Sequence, residues 1–520
     1  MRAQLVFLTA LLTGVAATGC FDYLSDSGIV RQGSGTGGTG TGGTGGTSGS
    51  GGTGGTTTSA PPECIPANAS MPVEDECGIF VSDSLGNDDD GKGTKASPVK
   101  TLTKALALAN AVDKPVYVCG ETFPGPIELS DSGLLYGALD CKSDWKHLGD
   151  AGRTQITAEA DVVPLRIRAG ASLEMHEINV TAADAATKGG SSIGIVVEGG
   201  AGLSLVSCDV ATGAGAAGQD GEASVTPAAD GLMGNAGKDA CTAGTVLGGD
   251  TTLSECGETD STGGIGGIGV GVGSAGSGSP GTPQDVANPN GGVGASAGGC
   301  GIGQPGNPGG NGGAGAGATG SLGTLTAELG FTGTAGEDGK PGDPGQGGGG
   351  GGGSLGGTGT GKCANGASAG GASGGSGGSG GCGGVGGKAG KGGGSAIAIA
   401  SFGATLKFDS VNLKPGAGGM GGKGAAGQSG GSGKVGGPGG KADGFNNLLP
   451  GCKGGDGGKG GNGGTGGGGM GGHSIGIAHT GSAPATDGAT ITLGAVGPGG
   501  MTDPGGNAGD PGVAKEAQGF

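Results

Sequence analysis

Rings are scarce in this 520-residue chain, which has 1 Trp, 3 Tyr and 9 Phe. So few aromatics cannot supply the stacking platforms that single-stranded nucleic acid needs, and they count against an extended sugar-binding groove. Basic residues are also few, 26 against 44 acidic ones, for a formal net charge of −18. That balance excludes the basic stripe of a nucleic-acid binder. The four His are scattered and no C-x-x-C pair occurs, so neither a metal nor a cofactor is expected. One N-terminal apolar run is too short to span a bilayer, and no other segment is apolar enough to cross one. What is abundant is Gly, 148 of 520 residues, against an ordinary share of about 7%. Residues without side chains leave little apolar surface to offset chain entropy. A compact metabolic enzyme does not fit; something more extended does.

The apolar run from Leu5 to Ala17 has the length of a signal-peptide core, about a dozen residues. It ends in Ala17-Thr18-Gly19-Cys20. These residues resemble a bacterial lipoprotein signal, although Ala17 stands where that family usually has Leu. The resemblance implies cleavage before Cys20 and lipidation of its thiol. With Phe21 after the Cys, in place of a retaining Asp, it also implies sorting to the outer membrane. Residues 20–60 are then a Gly/Thr/Ser tether, flexible and reaching on the order of 30 Å as a random coil. The expected partners are the membrane, through the anchor, and at the surface an envelope or extracellular polysaccharide or other cells.

Twelve Cys in an exported chain can pair. The candidates are Cys64, Cys77, Cys119, Cys141, Cys241, Cys256, Cys300, Cys363, Cys382 and Cys452. Cys64 and Cys77 flank a short Pro-containing segment and form a natural local loop; connectivity among the last six is open.

Four segments share the form G-A-x-h-x-h-x-x-h-x-h, with h apolar. Gly170 opens the first, with Leu173, Met175, Ile178 and Val180. Gly200 opens the second, with Leu203, Leu205, Cys208 and Val210. Gly403 opens the third, with Leu406, Phe408, Val411 and Leu413, and Gly488 opens a degenerate fourth. Two period-2 stretches joined by a one-residue slip predict two short strands meeting at a bend. A further strand-like run precedes each copy, at 165–167, 193–195, 397–399 and 475–477. Units that cannot bury an apolar edge alone must stack, which predicts a solenoid. Cys208 takes the place of Ile178 and Val411, an inward site, and is read as a buried free thiol.

Upstream, Asp83-Ser84-Leu85-Gly86-Asn87-Asp88-Asp89-Asp90-Gly91, then Pro98-Val99-Lys100-Thr101-Leu102, resembles the start of right-handed parallel β-helix proteins of the pectate-lyase-like superfamily. The resemblance implies an all-β fold, a right-handed parallel β-helix solenoid with an N-terminal capping helix. Read from the residues, Ser97 caps that helix and Pro98 takes its first position. Leu102, Ala105, Leu106 and Ala109 line its buried face. Coils in that family run on the order of twenty residues, so Cys119 and Cys141 would stack on adjacent coils, about one strand spacing apart.

The remaining glycine forms large insertions on one side, written GG-x or G-x-x, which resemble the glycine-rich domain of PE-PGRS proteins. Such segments are either disordered or packed as polyglycine, PPII-like helices of three residues per turn; the packed form is favoured. Collagen is excluded because the phase Gly333, Gly336, Gly339, Gly342, Gly345 runs into poly-Gly. The expected organisation is a signal peptide at 1–19, the tether at 20–60 and an N-terminal cap at 61–112. Coils follow at 113–210 and 394–413, with Gly-rich insertions at 211–393 and 414–472, and a last coil and tail at 473–520.

Gly356-x4-Gly361-Lys362 mimics a phosphate loop, but Cys363 stands where Ser or Thr must reach Mg²⁺. Asp88, Asp89 and Asp90 offer oxygens for Ca²⁺, though a solvated capping loop explains them. Arg166, Arg168, Glu174, His176 and Glu177 are the only charged concentration on the coils. The expected role is non-enzymatic, structural or adhesive, with no catalytic residues. The alternative is a carbohydrate-active β-helix enzyme, a polysaccharide lyase or glycoside hydrolase, built on that cluster.

Overall fold

A computed structural model describes residues 62–67, 71–296, 298–357, 362–363, 369–442, 447–502 and 505–520. The signal segment, Cys20 and the tether lie outside the described residues. Most strands belong to three parallel sheets. The first orders Ile79–Val81, Val116–Cys119, Gly133–Asp140, Ser172–His176, Gly202–Val206 and Thr405–Asp409. The second orders Thr122–Pro124, Thr154–Thr157, Ile178–Ala182, Asp209–Thr212, Val411–Lys414 and Ala489–Ile491. The third orders Ile127–Leu129, Leu165–Ile167, Ser192–Val197, Ala396–Phe402, Ser474–Thr480 and Ala514–Gly519. From Leu165 onward the chain visits the third, first and second sheets in turn, then begins again at Ser192.

The repeat pattern explains this rotation. Its opening glycines, Gly170, Gly200, Gly403 and Gly488, all have positive φ, between 72° and 82°, a region that favours Gly. Its slip residues, Glu177, Ser207 and Ser410, have φ of 55°, 52° and 56° and turn the chain from the first sheet to the second. Leu173, Leu203 and Leu406 are register partners on consecutive strands, as are Val180, Val210 and Leu413. These side chains stack into one apolar core between the sheets. The helix Leu102–Val112 buries Leu102, Ala105, Leu106 and Ala109 against that core. Its cap differs from the expected one: the Thr101 side chain accepts from the Lys104 amide. Ser97 is instead used in a turn with Thr94, and Val99, next to Pro98, bridges to Val81. Extended pairing wins because it joins this loop to the first sheet before the helix starts.

The glycine-rich segments are ordered by backbone hydrogen bonds that recur every third residue, the period of a PPII helix. In segment 370–395, Ser376 donates its amide to the Asn235 carbonyl at 2.9 Å, Gly377 to Gly264 at 2.8 Å and Gly378 to Gly455 at 3.0 Å. Ser379 restarts the cycle with Leu232. The carbonyls of Gly374, Gly375 and Ser376 accept from Gly249, Gly351 and Gly437, which belong to three other segments. Segment 347–354 does the same. Gly350, Gly351 and Gly352 donate to Ser279, Gly375 and Gly301, while the carbonyls of Gly348, Gly349 and Gly350 accept from Gly264, Gly455 and Gly292. Residues 371–382 and 347–354 are thus enclosed on all sides by other backbones.

The number of glycines per triplet follows the number of enclosing neighbours. In segment 451–472, each third residue, Lys453, Asp456, Lys459 and Asn462, is exposed. Gly468 and Gly471 take over that position where the tail packs, and donate to the Asn507 and Asp510 carbonyls. The collagen-like phase at 333–345 is not interrupted by the poly-Gly run. Gly345, Gly348, Gly351 and Ser354 continue to donate to segment 370–395, and the added glycines face new neighbours. Pro341 and Pro344 sit at the triplet position whose amide has no lattice acceptor, where the missing N–H costs nothing. Asp residues cap other edge amides: Asp220, Asp230 and Asp239 accept from Lys423, Ser432 and Lys441.

Among the described residues there are five disulfides. Cys64–Cys77 and Cys119–Cys141 close short loops beside the first sheet. Cys241–Cys363, Cys256–Cys382 and Cys300–Cys452 join lattice segments 122, 126 and 152 residues apart. Cys208 is free and buried, and burial pushes its thiol up to about 11. Thiolate is then on the order of 0.1% at pH 8. Alkylation of the native chain at that pH should leave Cys208 unmodified, and unfolding should label it fully; rapid native labelling on peptide mapping would contradict this packing.

Candidate functional site

The most concentrated charge lies on the outer side of the third sheet. Glu128 and Arg166 are register partners on adjacent parallel strands, so their outward side chains meet as a cross-strand pair. One residue beyond their strands, Arg168 and Glu198 extend the same row. Arg168 Nη1 lies 2.8 Å from Glu198 Oε1, and its Nη2 contacts Glu128. Arg166 Nη1 donates to the Ala327 carbonyl at 2.7 Å and lies 3.5 Å from Glu198. Ala327 belongs to a hairpin, Thr324–Thr326 with Gly330–Thr332, that the glycine-rich insertion returns over the sheet. Between hairpin and sheet is a cleft of about 500 Å³. Val163, Ile193 and Phe331 supply its apolar wall, and Glu128, Arg166 and Glu328 its charged end.

Burial works to raise the Glu198 pKa, but hydrogen bonds from Arg168 and the Ala169 amide, with both guanidinium charges, outweigh it and hold the group low. Asp161, at the rim, is also held low, chiefly by the Thr187 hydroxyl. The arrangement is a closed charge network in which two guanidiniums share two carboxylates. A carboxylate whose pKa is lowered on folding adds stability above its unfolded value of about 4.3 and loses it as pH falls through the folded value. Arg168→Ala should therefore flatten the acid limb of a stability–pH profile. Its cost at pH 7 should be small, because solvent screens a largely exposed pair. A much larger loss at pH 7 would show that the network holds the hairpin in place.

The charged concentration expected from the sequence is divided. Only Arg166 and Arg168 belong to this network. Glu174 and His176 point out from the first sheet, 2.7 Å apart. There the His176 ring continues a ladder of Phe80, Tyr117 and Tyr136 across adjacent strands. Glu177, at the slip position, pairs with His147 at 2.5 Å. The sequence reading missed Glu128, Glu198 and Glu328. Glu128 and Glu198 could have been found by sliding the strand-like runs against one another, which aligns 127–129 with 165–167; nothing local marks Glu328.

Other proposed ligand sets are occupied by structural bonds. Asp88 Oδ1 accepts the Lys100 and Thr101 amides, and its Oδ2 accepts the Thr101 hydroxyl. Asn87 holds the Asp89 and Asp90 amides, so this acidic loop is folded on its own groups. Cys119, Glu121 and Cys141 approach closely enough for a metal, but both sulfurs are in a disulfide. Cys363, at the end of the phosphate-loop mimic, is bonded to Cys241; Gly361 lies outside the described residues. Among the described residues no helix is long and apolar enough to cross a membrane. The disulfides are those of a chain that folds in an oxidising compartment.

No protein-family model, curated protein or solved structure matches this chain.

Proposed function

We propose that this protein is an exported lipoprotein, anchored through Cys20, with a structural or adhesive role at the outer surface of a bacterial cell. In this reading the three parallel sheets wind as a right-handed β-helix, which gives reach from the tether. The glycine-rich lobe gives a broad, stiff flank for contact with envelope polysaccharide or with other cells. The observation that carries the reading is the lattice itself, in which every amide of segment 347–354 donates to a neighbouring backbone and which three long-range disulfides fasten. Such a body resists local opening, a property suited to a coat or adhesin exposed to proteases. The test is protease shaving of intact cells carrying a tag near Lys515, with a periplasmic control. Rapid loss of the tag while the control survives supports surface exposure. Protection until the outer membrane is broken removes the adhesin reading.

A second reading, a carbohydrate-active enzyme, rests on the cleft beside Glu128, Arg166 and Glu198. Incubation with polysaccharides, comparing the native chain with Glu198→Gln, distinguishes the two. Turnover that vanishes in the variant makes the protein an enzyme.

A further inference from the structure

His473 lies where the lattice meets the third sheet and is fully buried. Its Nε2 is 2.7 Å from the Leu322 carbonyl, and its Nδ1 receives the Val513 amide at 2.9 Å. A carbonyl can only accept and an amide can only donate, so the ring must be neutral with its proton on Nε2. Its own amide donates to the Ser395 hydroxyl. One imidazole therefore joins the approach to the hairpin, inside the long insertion, to its own strand and to the start of the last strand. Burial holds its pKa below the usual histidine value.

The element it fastens is an edge strand of the third sheet. Ala514–Gly519 pairs on one edge only, with Ser474–Thr480, and much of it is exposed. Pairing begins at Ser474, whose amide donates to Val513. At the far end Phe520 lies edge-on against Phe331. Beneath them is an apolar cluster containing Ile193, Leu325, Ile397 and Ile475.

We propose that His473 is an acid-operated latch: a proton taken up on Nδ1 releases the strand Ala514–Gly519 and bares the apolar face around Phe331 and Ile475. The added proton turns the acceptor of the Val513 amide into a second donor pointing at it, so that bond is lost. The new charge also sits in a buried site. The titratable groups on the elements packed around it are Lys515 and Glu516 on the last strand, Glu328 on the hairpin, and His479 on its own strand. Among the described residues none of them hydrogen-bonds or ion-pairs with His473. His479 makes a contrasting neighbour, because its Nδ1 has no hydrogen-bond partner for a proton to displace.

The sign follows from linkage. A histidine whose pKa is lowered on folding leaves the latch closed above about pH 6.5 and weakens it progressively below. The test is amide exchange of the full chain from pH 7.5 to 4.5, corrected for intrinsic rates. Opening of 513–520 should rise about tenfold per pH unit below ~6.5, while amides of Ser192–Val197 stay protected. His473→Gln keeps a donor and an acceptor but cannot take the proton, so its 513–520 profile should be flat. His479→Gln and Glu516→Gln should respond like the native chain. A flat native profile, or an acid response kept in His473→Gln, overturns the latch. Should His473→Gln fail to fold, imidazole NMR of the native chain decides. Protonation of His473 should coincide with loss of Val513 protection; protonation with that amide still protected overturns the proposal.

Discussion

Replacing Gly350 by Ala should cost the folded chain about 3 kcal/mol or more, a large effect for one methyl group. A Cβ built there lies 1.9 Å from the Ile265 carbonyl oxygen and 2.5 Å from its carbon. That obstacle is backbone, held by its own lattice hydrogen bonds, and it cannot turn aside as a side chain would. Gly377→Ala meets the Gly348 oxygen at 1.8 Å and should behave alike. Gly244→Ala is the control, since nothing lies within 4 Å of its Cβ and its φ is not positive. It should be neutral or stabilise by up to about 1 kcal/mol by restricting the unfolded chain. Denaturant midpoints and amide exchange of 347–354 measure all three. Equal effects at Gly350 and Gly244 would mean that the lattice is not close-packed. Glycine amides of 374–394 should also exchange slowly in the native chain, whereas disorder would leave them unprotected.

Removal of the Cys300–Cys452 bridge as the double Ser variant should lower stability by about 3–5 kcal/mol. The bridge closes 152 residues of chain, so its loss frees the denatured ensemble more than loss of the 13-residue Cys64–Cys77 loop. The effect should also be local. Residues 290–303 border segment 347–354 through bonds such as Gly352 to Gly301 and Gly292 to Gly350, and their amides should lose protection first. The sheet amides around Leu173 and Leu203 should hold. Unchanged exchange at 290–303 would show that hydrogen bonds alone keep that flank in place. Because an edge segment has neighbours on one side only, the bridge replaces contacts that an interior segment gets from packing.

Much of the sheet architecture was legible in residues that repeat. Gly170, Gly200, Gly403 and Gly488 recur because each turns the backbone into the positive-φ region. The apolar positions after them recur because parallel strands place equal residues in register. Even the buried thiol of Cys208 followed from its place in that pattern. The candidate site was legible only in part. Arg166 and Arg168 stood out, but the turn at Gly170 carries Glu174 and His176 onto another sheet and Glu177 sits at the slip position, so none of the three joins the arginines.

Composition and spacing by themselves determined that the chain repeats and that its glycine-rich segments carry a period of three. Local sequence suffices there because φ preference, side-chain alternation and Gly count act within a few residues. Only the tertiary structure decided how the six lattice cysteines join, which triplet positions need a second or third glycine, and which carboxylates meet the arginines. Each of these depends on segments distant in the chain, thirty or forty residues for the carboxylates of Arg168 and more than a hundred for Gly377 against Gly264 or Cys256 against Cys382. A glycine looks the same in sequence whether it faces water or another backbone; the neighbour that excludes its Cβ exists only after the chain has folded.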